Sequence, residues 1–154
     1  MFTSSLEIAA LKTGKNRILG IDYGEKRTGL SLSDLTWTVA TPFKTLLPNE
    51  LLQNFATMVK AENIVAVIIG WPVNMDGSKS QQCEVIERFI IKLLSVVEIP
   101  IHAWDERLST MAVHRTMIEA DLSRKRQKEV VDKMASAYML QGFLESLRTI
   151  SSSS

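Results

Sequence analysis

A chain of 154 residues, 45% apolar and 23% charged, has the size and balance of one globular domain that needs neither disulfides nor a structural metal to bury a core. The formal net charge of +1 carries no whole-chain signal for nucleic acid, and apolar runs such as residues 64–69 fall far short of a membrane span. Cys83 is the single cysteine, which excludes an intramolecular disulfide, and two histidines, His102 and His114, are too few for a Cys/His zinc centre.

The first 16 residues lack a secretory pattern, because the apolar stretch 6–11 is short and broken by Glu7. A cytoplasmic protein is expected, with residues 1–16 a frayed extension holding at most one helical turn. From Arg17 the alternation of Ile18, Leu19 and Ile21 predicts a strand ending at Asp22. A polar turn over 24–27 and a second strand over 28–33 then make a hairpin. A third strand is expected over 37–40, with Pro42 and Pro48 leading to a helix.

That helix carries Leu51, Leu52, Phe55, Met58 and Val59 on one face, with Pro48 in the first turn, where a missing N–H costs nothing. Residues 64–69 are apolar on both sides and rich in β-branched side chains, the signature of a central strand, and they end at Gly70. Cys83, Ile86, Phe89, Ile90, Leu93, Leu94 and Val97 define the next helix. Residues 99–104 return as a strand that runs into Asp105 and Glu106. Ser109 is expected to cap a short helix to about Glu119. A basic linker, Arg124-Lys125-Arg126, precedes a last helix whose buried face is read as Val130, Val131, Met134, Ala137, Tyr138, Gln141 and Leu144, and residues 149–154 are expected to be a disordered tail. The order predicts an α/β domain over 17–148, a mixed sheet with helices on its faces.

Three carboxylates stand where charge needs a partner: Asp22 and Glu106 at strand ends, and Asp132 in a helix of small residues. Asp22 lies between Gly20 and Gly24, which leaves room for a close ligand, although an acid there also caps a turn. Asp105 and Glu106 are followed by Arg107. Pairing with Arg107 is the expected role of Asp105, and Glu106, with its longer stem, is the candidate ligand. Asp132 alone reads as a solvated acid beside Lys128 and Lys133. Together, three converging acids would repel one another unless cations balanced them, so a pair of divalent ions, Mg2+ or Mn2+, is expected. Held about 3.5–4 Å apart, such ions suit in-line phosphodiester hydrolysis.

Phosphate contacts are expected from Lys26, Arg27, Lys79, Arg107 and the run Arg124, Lys125, Arg126. Asn74 and Ser78, in the turn-rich loop after the central strand, could hold a phosphate at a helix start, while Asp76 in its Asp-Gly turn reads as a local hydrogen-bonding residue. Tyr23 and Trp71 are expected to pack against the core, and His102 is read as a strand residue.

Four ordered segments carry a resemblance: Ile18-Leu19-Gly20-Ile21-Asp22-Tyr23-Gly24 with Lys26-Arg27-Thr28-Gly29, Gly70-Trp71-Pro72-Val73-Asn74-Met75-Asp76-Gly77, Asp105-Glu106-Arg107-Leu108-Ser109-Thr110, and Val131-Asp132-Lys133-Met134-Ala135. Over about residues 17–146 the chain resembles the YqgF (RuvX) family of Holliday junction resolvase-like nucleases. The resemblance implies a ribonuclease H-like five-stranded mixed sheet with helices on both faces, a bacterial cytoplasmic location, and a role in maturing the 5′ end of pre-16S ribosomal RNA. It assigns the acidic positions to Asp22, Glu106 and Asp132. It also implies nucleic acid as partner, precursor rRNA ahead of branched DNA, with ribosomal particles, no membrane, and a monomer or homodimer. One departure from RuvC-type resolvases stands out: Gly70 ends the fourth strand where those carry an acid, and the second carboxylate is read on the fifth strand instead. Two other classes fit parts of the pattern. Actin-like and sugar-kinase ATPases also place a glycine-flanked Asp on a first hairpin, but they need two lobes; a non-catalytic nucleic-acid-binding or ribosome-assembly module would keep the acids without cleaving.

Overall fold

The computed structural model describes residues 1–108 and 124–152, with side chains described in the second stretch only over 134–149. Its elements in chain order are α1 (Ser5–Ala9), β1 (Arg17–Asp22), β2 (Thr28–Ser33), β3 (Ala40–Leu46), α2 (Pro48–Ala61), β4 (Ile64–Trp71), α3 (Gln81–Val96), β5 (Ile101–Asp105), a 3-10 turn over Glu106–Leu108, and α4 (Arg124–Ser152). The helix expected from Ser109 to Glu119 lies outside the described residues. Among the described residues no helix is long and apolar enough to cross a membrane.

The strands form one sheet in the order β3-β2-β1-β4-β5. β1 pairs antiparallel with β2, and β2 with β3, whereas β1, β4 and β5 run parallel. This is the ribonuclease H-like mixed sheet expected above. Side-chain alternation sends Leu19, Ile21, Val67 and Ile69 into a core with Leu51 and Phe55 of α2 and Ile86, Phe89 and Ile90 of α3. Ile18, Ala66 and Ile68 point the other way, into a second core closed by Leu140, Phe143 and Leu144 of α4 and Ile8 of α1. The continuous apolar run of β4 therefore serves two cores at once.

Several expectations are corrected. The third strand is not at 37–40 but at Ala40–Leu46. The Asp34 carboxylate accepts from the N–H groups of Thr38 at 2.7 Å and Val39 at 3.0 Å, so residues 34–39 close a hydrogen-bonded loop before pairing can begin. Trp37 in this loop takes a left-handed backbone, φ 56°, and its buried indole N–H donates to the Asn16 carbonyl at 3.0 Å. Among the described residues β3 pairs only with β2, and such an edge tolerates Pro42.

The N-terminus holds the expected helical turn, but it is docked. Ile8 is fully buried in the second core, the Thr3 N–H donates to the Ile101 carbonyl at 2.7 Å, and the Phe2 ring packs edge-on against Trp71 at 5.0 Å. One buried isoleucine and an added backbone bond along β5 offset the ordering entropy that fraying would have kept. At the other end, α4 continues through Ser152, where a tail from residue 149 was expected.

The buried face of α4 is also rotated from the expected one. Ser136, Ala137, Met139, Leu140, Phe143, Leu144 and Leu147 are buried, while Met134, Tyr138 and Gln141 stand at its margin. Val130 and Val131 lie outside the described side chains. Small residues set this rotation, because α4 crosses the sheet directly over Gly20. A Cβ there would collide with the Ser31 hydroxyl and come within 3.1 Å of the Leu140 Cβ. Ser31 donates to the Ser136 carbonyl at 2.9 Å and meets the Ser136 hydroxyl at 2.8 Å, a fully buried polar pair that fixes the helix along the strand. Gln141, at the margin, accepts from the Ala40 N–H at 2.8 Å and donates to the Thr38 carbonyl at 3.0 Å, tying α4 to the β3 edge.

Candidate active site

The parallel strands β1, β4 and β5 end together, and ligands of open α/β sheets lie beyond such carboxyl ends. Asp22 closes β1. It alternates with Ile18 and Gly20, so it falls on the α4 side of the sheet. The Ile21–Ile69 register sets Asp22 and Gly70 side by side one step further along.

Glu106 follows β5 and alternates with His102 and Trp104, whose rings pack on Phe143 of α4. That alternation separates Glu106 from its neighbour Asp105. The Glu106 carboxylate folds across the end of β4: a Cβ at Gly70 would collide with Glu106 Oε1 and lie 3.1 Å from both Cγ and Cδ. The space that a fourth-strand side chain would fill is thus taken by a fifth-strand carboxylate. Gly70, read above as the end of a strand that in fact runs on to Trp71, is what admits it; its signal in the sequence was a residue without a side chain near the end of an otherwise bulky strand.

The two acids interact strongly. Burial, then the charge of Asp22, a hydrogen bond with Asp22 and the charge of Asp105 push the Glu106 carboxyl up from 4.5 to about 7. At neutral pH the pair therefore tends to share a proton unless a cation neutralises it. Among the described residues no three His, Cys, Asp or Glu side chains form a metal-holding group. Asp132, the third candidate, belongs to α4 one helical turn before Ser136, and its side chain lies outside the described residues.

Asp105 takes the expected pairing role. Its carboxylate receives Arg107 Nε at 3.0 Å to each oxygen and Nη2 at 2.6 Å, and this guanidinium holds it below the usual carboxylate range. Arg107 Nη1 donates onward to the Met75 carbonyl at 3.1 Å. Asn74 and Ser78 are bonded to each other at 2.9 Å, and the Ser78 hydroxyl and N–H both donate to Asp76, at 2.6 and 2.9 Å. Asp76 thus has its local turn role, and its carboxyl is lowered by those bonds. Lys79 pairs with Glu87 and lies 5.9 Å over the Trp71 ring.

Lys26 and Arg27 occupy the exposed β1–β2 turn beside Asp22. That turn is tight because Gly24 has no Cβ to strike the Arg27 carbonyl, and the Thr28 hydroxyl donates to the Gly24 carbonyl at 3.0 Å. Arg124, Lys125 and Arg126 begin α4 and are not a linker; their side chains lie outside the described residues. Tyr23 packs on Phe89 at 4.9 Å, as expected of an aromatic beside the core.

With this geometry in place, a family model described as "RuvX: Holliday junction resolvase" matches residues 16–146. The chain belongs to the RuvX family. RuvX-family relatives named "Putative pre-16S rRNA nuclease" include one from Paramagnetospirillum magneticum, 44% identical and covering 90% of this chain and 92% of its own, and one from Methylocella silvestris, 43% identical over 97% of both chains. One from Staphylococcus haemolyticus is 42% identical over 86% of this chain and 98% of its own. The RuvX-family match begins where β1 begins, so α1 and the docked residues before it lie outside it. Among solved structures, a Thermus thermophilus RuvC in complex with a Holliday junction substrate aligns with 87% of this chain and 97% of that one, at 11% identity and a TM-score of 0.48.

Proposed function

We propose that this chain is a divalent-metal-dependent endonuclease acting on precursor ribosomal RNA, with Asp22, Glu106 and Asp132 as the acidic set. One observation carries the reading: two carboxylates from different strands are pressed together over a glycine, with Glu106 lifted to about 7 by burial and by Asp22. Such a pair is costly without a function and is relieved by positive charge. Oxygen donors of this kind suit Mg2+ or Mn2+, and bound ions there supply an activated water and charge neutralisation at the leaving oxygen. Asp22 and Glu106 would hold them, with Asp132 brought by α4.

The chain's own residues do the rest. Gly20 lets α4 close on β1, and Gly70 lets the Glu106 carboxylate cross the end of β4. Lys26 and Arg27, exposed in the turn beside Asp22, are assigned the phosphate contacts together with Arg124, Lys125 and Arg126. The names of the RuvX-family relatives favour pre-16S rRNA, and the family's description favours a four-way junction as the second substrate reading.

The test titrates Mg2+ and Mn2+ against labelled precursor 16S RNA, a four-way junction and a linear duplex. Cleavage of the precursor near its 5′ end, lost in Asp22→Asn with the fold intact by circular dichroism, is the expected result. Preferred cutting of the junction would move the substrate to branched DNA. Tight binding without cleavage of any of the three, at all metal concentrations, would leave a binding module and end the nuclease reading.

A further inference from the structure

Arg107 has the sequence profile of a phosphate contact, a cation next to an active-site acid, yet its donors are directed into the protein. Nε and Nη2 grip both Asp105 oxygens, and Nη1 reaches the Met75 carbonyl at 3.1 Å and the Asn74 carbonyl at 3.5 Å. The Arg107 N–H also donates to Asp105 Oδ1 at 3.0 Å, closing a turn with Glu106 at its apex. Bidentate pairing fixes both partners' rotamers in a way that a single contact does not.

Glu106 is the one residue between the two members of this pair. The far end of the guanidinium holds residues 74 and 75 of the turn that leaves β4 just beyond Gly70, and Gly77 of the same turn leaves its own space open 3.9 Å from Nη1. That turn is internally rigid through the Asn74–Ser78 and Asp76–Ser78 bonds and the Val73–Lys79 bridge. The guanidinium thus joins the exits of β4 and β5 on the face opposite the one where Glu106 lies over Gly70.

We propose that the Asp105–Arg107 pair is a positioning clamp that fixes the backbone on either side of Glu106 and binds the residue 72–79 turn to it, and that Arg107 is not a phosphate contact. The proposal rests on the nuclease reading for its kinetic consequence only; the clamp itself is measurable without cleavage. Lysine cannot replace the fork geometry, so charge alone does not restore the clamp.

The experiment compares wild type, Asp105→Asn, Arg107→Ala, Arg107→Lys and the Asp105→Asn/Arg107→Ala double variant. Amide hydrogen exchange over residues 72–79 should speed up in every variant. The salt dependence of binding to precursor RNA in EDTA should keep its slope, whereas each lost phosphate contact would flatten it by about 0.7–0.9. Metal-activated kcat should fall on the order of ten- to a hundredfold in each single variant with KM within about twofold, as expected of a misplaced group, and the double variant should be no worse than the poorer single one. A slope flattened in Arg107→Ala but kept in Arg107→Lys and Asp105→Asn, or unchanged exchange over 72–79, would overturn the clamp. Should the wild type cleave nothing, the nuclease reading falls while exchange and salt slope still decide this proposal.

Discussion

Glu106→Gln should stabilise the metal-free protein at pH 8 and leave it unchanged near pH 4. In the folded chain the Glu106 carboxyl is raised from 4.5 to about 7, so the folded state holds a proton that the unfolded state releases between those values. Stability from the protonated group is fully present below about 4.5 and is lost as pH rises through about 7. A lift of that size corresponds to about 3 kcal/mol, and screening at the exposed edge of the group brings the figure to about 2–3 kcal/mol. Glutamine removes the charge and still donates to Asp22. Thermal unfolding in EDTA at intervals from pH 4 to 8 should therefore show the variant gaining on wild type across that window, reaching roughly 5–10 °C in melting temperature at pH 8. Added Mg2+ or Mn2+ should close the gap, because only the wild type gains from ligand linkage at that carboxylate. A difference that does not change with pH, or a variant less stable than wild type at pH 8, would refute the electrostatic account of the acid pair.

Gly70→Ala places a methyl group where the Glu106 carboxylate lies. The carboxylate is the far end of a side chain with several rotatable bonds, so the cost to stability should be at the low end of about 1–3 kcal/mol for overpacking, while cleavage is lost; thermal melting beside a cleavage assay separates the two. Gly20→Ala meets the Ser31 hydroxyl and the backbone-bound Leu140 Cβ, so α4 itself must shift, and the loss should reach about 1–3 kcal/mol with the Ser31–Ser136 bonds broken; denaturant titration reads it. Ile8→Ala should cost roughly 2–5 kcal/mol if α1 is part of the fold, and an unchanged denaturation midpoint would mean that the segment is dispensable.

Much of this protein is written in local pattern. The central strand β4, the apolar faces of α2 and α3, and the strands ending at Asp22 and Asp105 follow from periodicities of two and three to four residues, because one buried face demands them. What failed was local pattern overridden by contact at a distance. The loop around Asp34 consumed residues that look like a strand, and Ile8 made a core element of a segment that looks like a frayed end.

The amino-acid order also determined that Asp22 and Glu106 stand at strand ends, for a chain with this alternation has no other way to bury its apolar side chains. Their meeting was decided only by the tertiary structure. A parallel pairing of β1, β4 and β5 brings together residues 84 positions apart, and the missing side chain of Gly70 lets the second carboxylate cross to the first. Which of two adjacent acids points inward depends on the face that α4 covers, a fact about packing that no reading of residues 105 and 106 alone contains.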